Sequence, residues 1–153
     1  LYNRQSPPTI QEPTGKSMKQ IHYRSGFKYA LHKPYTDTLP IYPPEDIASQ
    51  WVNLGRNGEF MLREGFAWDG PSGPTIDTKS AMRGSAIHDG LYRLMRLGLL
   101  DEKWRKTADE IYEQACISDG MFKIRAWLHF RALRRFGWLA AEKGTEPPIQ
   151  TAP

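Results

Sequence analysis

A chain of 153 residues, 39% hydrophobic and with a formal net charge of +4, is sized for one domain with a modest core. The single cysteine, Cys116, excludes an internal disulfide framework. No apolar run approaches the ~18 residues that cross a bilayer, and none forms the apolar stretch of a signal peptide.

Residues 1–20 are polar, proline-rich and without periodicity, which predicts an extended arm. Residues 21–143 carry the core-forming positions and read as one α+β domain. Residues 144–153 read as a flexible C-terminal tail. Ile21–Leu31 suggests two short strands around Ser25-Gly26, with Phe27, Tyr29 and Leu31 alternating. The proline-rich run from His32 to Ile47 reads as a loop or irregular edge. Trp51–Leu54 and Glu59–Arg63 flank Gly55-Arg56-Asn57-Gly58, a hairpin turn, and Gly65–Trp68 extends the second of these strands. The first half is therefore expected to be a small antiparallel sheet.

From Thr78 the apolar period changes. Thr78 or Ser80 can cap a helix running to about Leu97, with Ala86, Ile87, Leu91, Leu94 and Met95 as its stripe and Gly98 as its stop. Asp101 can cap a second helix bearing Trp104, Ala108, Ile111, Tyr112, Ala115 and Cys116, ended by Asp119-Gly120. Cys116 in that pattern reads as a buried structural thiol. A third helix is expected from Met121 to about Lys143, with Ile124, Trp127, Leu128, Ala132, Leu133 and Phe136 inward and its arginines largely outward. Between Met121 and Lys143 stand six Lys or Arg against one acid, Glu142. Such a basic face, with Arg125, Arg131, Arg134 and Arg135, suits an anionic membrane or other anionic partner; it serves equally as a solvated surface. No recognised nucleic-acid motif accompanies it, so nucleic acid is not the expected partner.

The stretch richest in possible chemistry is FAWDGPSGPTIDTKSAMRGSAIHDGLYRLMR, Phe66 to Arg96. On a helix His88 and Tyr92 share a face, and Asp89 lies about 100° round from His88. The preceding loop, Trp68 to Pro74, has glycines that let carbonyls turn inward and prolines that hold it stiff. Inward carbonyls of that loop together with the Asp89 carboxylate would form the oxygen set that calcium prefers. A neutral imidazole beside that cation could take a proton from water, and Asp109 on the next helix could orient it. A phenol, Tyr92 or Tyr112, would complete the set. His22, His32 and His129 lack such companions and read as structural. Trp68 reads as a core residue at a strand end, and Asp77-Thr78 as a helix entry.

The order of Gly/Pro loop, His-Asp-x-x-Tyr helix and carboxylate on the following helix resembles secreted phospholipases of the A-two type, and more closely their disulfide-free relatives in parvovirus capsids. That resemblance implies His88 as water-activating base, Asp109 as its orienter, Asp89 as calcium ligand with the carbonyls of Asp69 to Gly73 (Asp69, Gly70 and Gly73 among them), and the Gly70 N–H at the oxyanion. Gly70-Pro71-Ser72-Gly73 departs from the Gly-x-Gly calcium loop of those enzymes, and Pro71 lacks an N–H. The segment GFAWDGPSGPTIDT followed by IHDGLY also resembles an uncharacterised family of short tailed-phage and prophage proteins, which implies a phage virion or an infected bacterial host as the setting. Two functions follow as expectations. One is a calcium-assisted phospholipid esterase acting at an anionic membrane. The other is a non-enzymatic virion or assembly protein that uses the same polar cluster as a buried staple among other virion proteins.

Overall fold

The computed structural model describes residues 21–23, 27–71, 78–144 and 150–152, and the side chains of all but 21–23 and 150–152. Residues 1–20, expected as an extended arm, and residues 72–77, Gly73 among them, lie outside the described residues. The fold is α+β: small antiparallel sheets in the N-terminal part, followed by a three-helix unit.

The central sheet has four strands in the order β3 (Tyr35–Thr38), β6 (Glu59–Leu62), β5 (Val52–Leu54), β4 (Ile47–Ala48). Val52 pairs with Leu62 and Leu54 with Phe60, and all four side chains are buried on one face. That is the period-two alternation expected of a half-buried strand. The hairpin turns at Gly55–Gly58, where Gly58 has φ 85° and a Cβ would meet the Leu39 carbonyl oxygen at 2.2 Å, so only glycine fits. Two stretches of the proline-rich run are strands rather than loop. Tyr35–Thr38 carries no proline and pairs along the whole length of β6; Ile47–Ala48 closes the other edge on β5.

The chain does not continue β6 through Gly65. A turn at Glu64-Gly65 sends β7 (Ala67–Trp68) out of the sheet to pair with β2 (Tyr29–Ala30), with Tyr29 opposite Trp68. The turn is closed by Phe66 N–H donating to Arg63 O, and it is tied to the segment after β2 by Gly65 N–H donating to Leu31 O and Leu31 N–H to Phe66 O. Within the segment expected to be a tail, β8 (Gln150–Ala152) pairs antiparallel with β1 (Ile21–Tyr23).

Helix α1 (Lys79–Arg96) begins at Thr78 and stops where Gly98, at φ 69°, donates its N–H to Met95 O. It lies on the central sheet at Gly90, where an added Cβ would come within 2.7 Å of Leu62 Cδ2. Asp101 accepts from Lys103 N–H at the start of a 3₁₀ turn (Glu102–Trp104), which leads into α2 (Arg105–Ser118). Helix α2 packs on α1 over Gly84.

The third helix departs from expectation in two ways. It runs as α3 (Lys123–Phe136), breaks at Gly137, and resumes as a single turn, α4 (Trp138–Ala141). Gly137 passes so close to Tyr92 that a Cβ would stand 2.7 Å from the phenol oxygen. The helix is also turned over. Ala126 is buried, with His129, Phe130, Leu133 and Arg134 partly buried beside it, whereas Ile124, Trp127, Leu128, Ala132 and Phe136 are exposed. Apolar residues recur on two faces of this helix, so periodicity alone could not choose. Hydrogen bonds from His129 and Arg134 to α2 decide the matter.

Candidate active site

Three helices converge on one carboxylate. His88 and Tyr92 stand one turn apart on α1, Asp109 faces them from α2, and Arg134 reaches in from α3. Asp109 is wholly buried at 0% exposure. An ionised group there is tolerable only if its lone pairs are taken up. Oδ1 accepts from His88 Nε2 at 2.8 Å and from the Tyr92 hydroxyl at 2.6 Å. Oδ2 accepts from Arg134 Nη1 at 2.8 Å, with Arg105 Nη1 3.8 Å away. Burial alone would raise the Asp109 carboxyl; the bonds from His88, Tyr92 and Arg134 outweigh it and hold its pKa below the usual range. Burial and the Asp109 carboxylate push the Tyr92 phenol well above its ordinary value, so it remains a donor.

This geometry settles which imidazole nitrogen is which. An ionised Asp109 oxygen needs a donor, so Nε2 carries the proton when His88 is neutral, and Nδ1 keeps its lone pair. The ring is clamped between Tyr92, with centroids 4.0 Å apart, and the edge of Tyr112 at 5.6 Å. His88 borders a small cavity of about 10 Å³, shared with Gly70, Ser85, Asp89, Tyr112, His129 and Leu133. That is room for about one water molecule. A lone pair, an oriented ring and a water-sized space are the parts a general base requires.

The expected residues are distributed as follows. His88, Asp89 and Gly70 border one cavity, and Asp109 and Tyr92 lie directly behind His88. Asp89 is half-buried, and burial pushes its carboxyl pKa up against the opposing charges of Arg96, Arg93 and His88; the neighbouring Asp69 adds to the rise. Asp69 accepts from Lys28 N–H at 3.2 Å, which ties the loop back to the start of β2. Among the described residues no group of three His, Cys, Asp or Glu side chains is placed to hold a metal. Of the residues expected to hold calcium, Asp89 and Gly70 border the cavity. Tyr112 does not reach Asp109; its hydroxyl pairs with His129 Nδ1 at 2.8 Å. His129, expected to be merely structural, thus lines the cavity from α3.

Arg134 is the principal correction. It was expected on an outward basic face and instead turns inward onto Asp109, while Arg131 and Arg135 remain exposed. Arg105 was not foreseen at all. It donates to the Leu133 and Arg134 carbonyls, at 3.2 and 3.4 Å, and so pins the C-terminal turn of α3 beside the site. The available signal was Asp109 itself, since a carboxylate buried among apolar neighbours demands a cation, but nothing in the sequence says which arginine supplies it. Cys116 is buried, and burial lifts its thiol pKa to about 11, against a hydrogen bond from Tyr112. Burial and a raised pKa are the surroundings of a structural thiol. Trp68 is buried and donates its indole N–H to Ser85 Oγ at 3.0 Å, a core role beside the cavity. No helix among the described residues is long and apolar enough to cross a membrane. Comparison of the chain with protein-family models, curated proteins and solved structures finds no match.

Proposed function

We propose that the protein hydrolyses a carboxylic ester of phospholipid with water activated by His88. The observation that carries this reading is the 2.8 Å bond from His88 Nε2 to fully buried Asp109, which leaves Nδ1 as the base beside a water-sized cavity. In the step proposed, Nδ1 takes a proton as the water oxygen attacks the ester carbonyl carbon. The imidazolium, stabilised by Asp109, then returns that proton to the departing alkoxide as the C–O bond breaks. Asp109 and Tyr92 hold the ring; they do not touch substrate. The choice of lipid rests on the resemblance of the loop, His-Asp-x-x-Tyr helix and second carboxylate to phospholipases of the A-two type. The phage setting rests on the GFAWDGPSGPTIDT…IHDGLY pattern. Calcium also rests on the phospholipase resemblance: the Asp89 carboxylate and the carbonyls of Asp69, Gly70 and Gly73 would hold it. When bound, it would polarise the ester carbonyl.

A second reading has its own support. The cavity admits water but no acyl chain, and every Asp109 oxygen is satisfied, which suits a buried staple in a non-enzymatic virion or assembly protein. Incubation with phosphatidylglycerol vesicles, with calcium and then with chelator, separates the two. Fatty acid released by wild type and lost in His88→Ala, with the fold intact by circular dichroism, is the expected result. No release from the wild-type chain under any of these conditions rejects the hydrolase.

A further inference from the structure

The outer face of α3 and α4 is unusual for a polar chain. Phe122 is 82% exposed, Ile124 73% and Phe136 66%; Trp127, Leu128, Trp138 and Leu139 are also largely open to solvent. Ile124, Trp127, Leu128, Arg131 and Arg135 follow at helical spacing, so they form one stripe opposite buried Ala126. Apolar and basic residues are interleaved along it. The Arg131 guanidinium sits 5.6 Å from the Trp127 ring, and that of Arg135 sits 5.7 Å from the Phe136 ring.

We infer that this α3 stripe docks in the plane of an anionic lipid bilayer, with Ile124, Trp127 and Leu128 entering the headgroup boundary and Arg131 and Arg135 engaging lipid phosphates. The composition is that of an in-plane amphipathic anchor, in which apolar area and basic charge act together. Charge also discriminates between occupants. A second copy meeting the face symmetrically would set two basic stripes against each other. Residues 1–20 carry three basic residues and one acid, so the arm offers no complementary charge. An anionic surface fits both halves of the stripe.

The inference deepens the proposed phospholipid hydrolysis and takes its purpose from that reading. The inner side of the same helix supplies Leu133 and His129 to the His88 cavity, so docking would hold the cavity about 10 Å, one helix width, from the lipid surface. Binding, however, is measurable without turnover. Sedimentation with phosphatidylglycerol and with phosphatidylcholine vesicles, together with tryptophan emission, reads it directly. Wild type and His88→Ala should both bind phosphatidylglycerol vesicles with a blue-shifted emission, more weakly at high salt. Trp127→Glu and Leu128→Glu, at exposed sites that leave the fold unchanged, should each weaken binding roughly ten-fold. Arg131→Gln and Arg135→Gln should each cost about five-fold on anionic vesicles only. Vesicle binding without fatty acid release would remove the hydrolase and keep this surface. The inference is overturned if wild type ignores anionic vesicles, if the Glu variants bind as wild type does, or if the same variants instead abolish a dimer or a complex with an acidic protein.

Discussion

Replacing Asp109 by asparagine keeps the volume at the centre of the site and removes its charge. Two orientations of the amide are available. With its oxygen toward His88 and Tyr92, the NH₂ meets Arg134, donor against donor at a position now occupied at 2.8 Å. With its oxygen toward Arg134, the NH₂ faces His88 Nε2 and the Tyr92 hydroxyl, both of which can become acceptors. The second orientation is the satisfiable one, and it forces the His88 proton from Nε2 to Nδ1. Three hydrogen bonds to a charged oxygen become neutral or lose their ionic character. At about 1 kcal/mol for each, stability should fall by about 3 kcal/mol, near the lower end of what breaking a buried ion pair costs. For a domain of this size that lowers Tm by roughly 10 °C. Urea unfolding measures the stability, and ¹⁵N chemical shifts of the His88 ring report the tautomer. If His88 is the base, ester hydrolysis should drop about 10³- to 10⁴-fold, because Nδ1 then carries the proton and has no lone pair to accept one from water. A stability loss below about 1 kcal/mol together with an unchanged His88 tautomer would refute the claim that an ionised Asp109 organises the site.

The remaining predictions concern pH and packing. Asp109 has its folded pKa depressed, so the stability it contributes is fully present above the unfolded value of ~3.9 and is lost as pH falls through the folded value. Asp89, with its pKa raised by burial, acts in the opposite sense and penalises the fold at neutral pH. Unfolding free energy measured in urea from pH 7 to pH 3 should therefore fall more steeply at the acid end for wild type than for Asp109→Asn; identical curves would contradict the assignment. Gly90→Val should destabilise by about 2 kcal/mol despite the better intrinsic helix propensity, because its Cβ would stand 2.7 Å from Leu62 Cδ2 and 3.1 Å from Phe60 Cζ and its two branches add bulk at that same contact. Gly90→Ala, a smaller intrusion against flexible side-chain ends, should cost less, and the same urea titrations rank the two.

Much of the local structure was legible because it depends on near neighbours. The hairpin at Gly55–Gly58, the stop at Gly98, the Asp101 start and the shared face of His88 and Tyr92 all follow from turn chemistry and helical spacing. So did the pairing of His88 with Asp109, since an imidazole on one helix and a carboxylate flanked by apolar residues on the next are natural partners. The strands Tyr35–Thr38 and Ile47–Ala48 were hidden because their pairing energy comes from residues distant in sequence, while the nearby prolines signal only a break. The rotation of the third helix was undetermined for a different reason. Its sequence offers two apolar faces, and an amphipathic pattern selects a face only when there is one. The choice fell to the unsatisfied Asp109 oxygen and the Tyr112 hydroxyl, which claim Arg134 and His129 and so turn Trp127, Leu128 and Phe136 to the outside. Sequence by itself determined which groups could do chemistry and in what local frame. Tertiary structure decided which cation neutralises the buried carboxylate and which face of the last helix meets the surroundings, because both are settled by the cost of leaving a buried polar group unpaired.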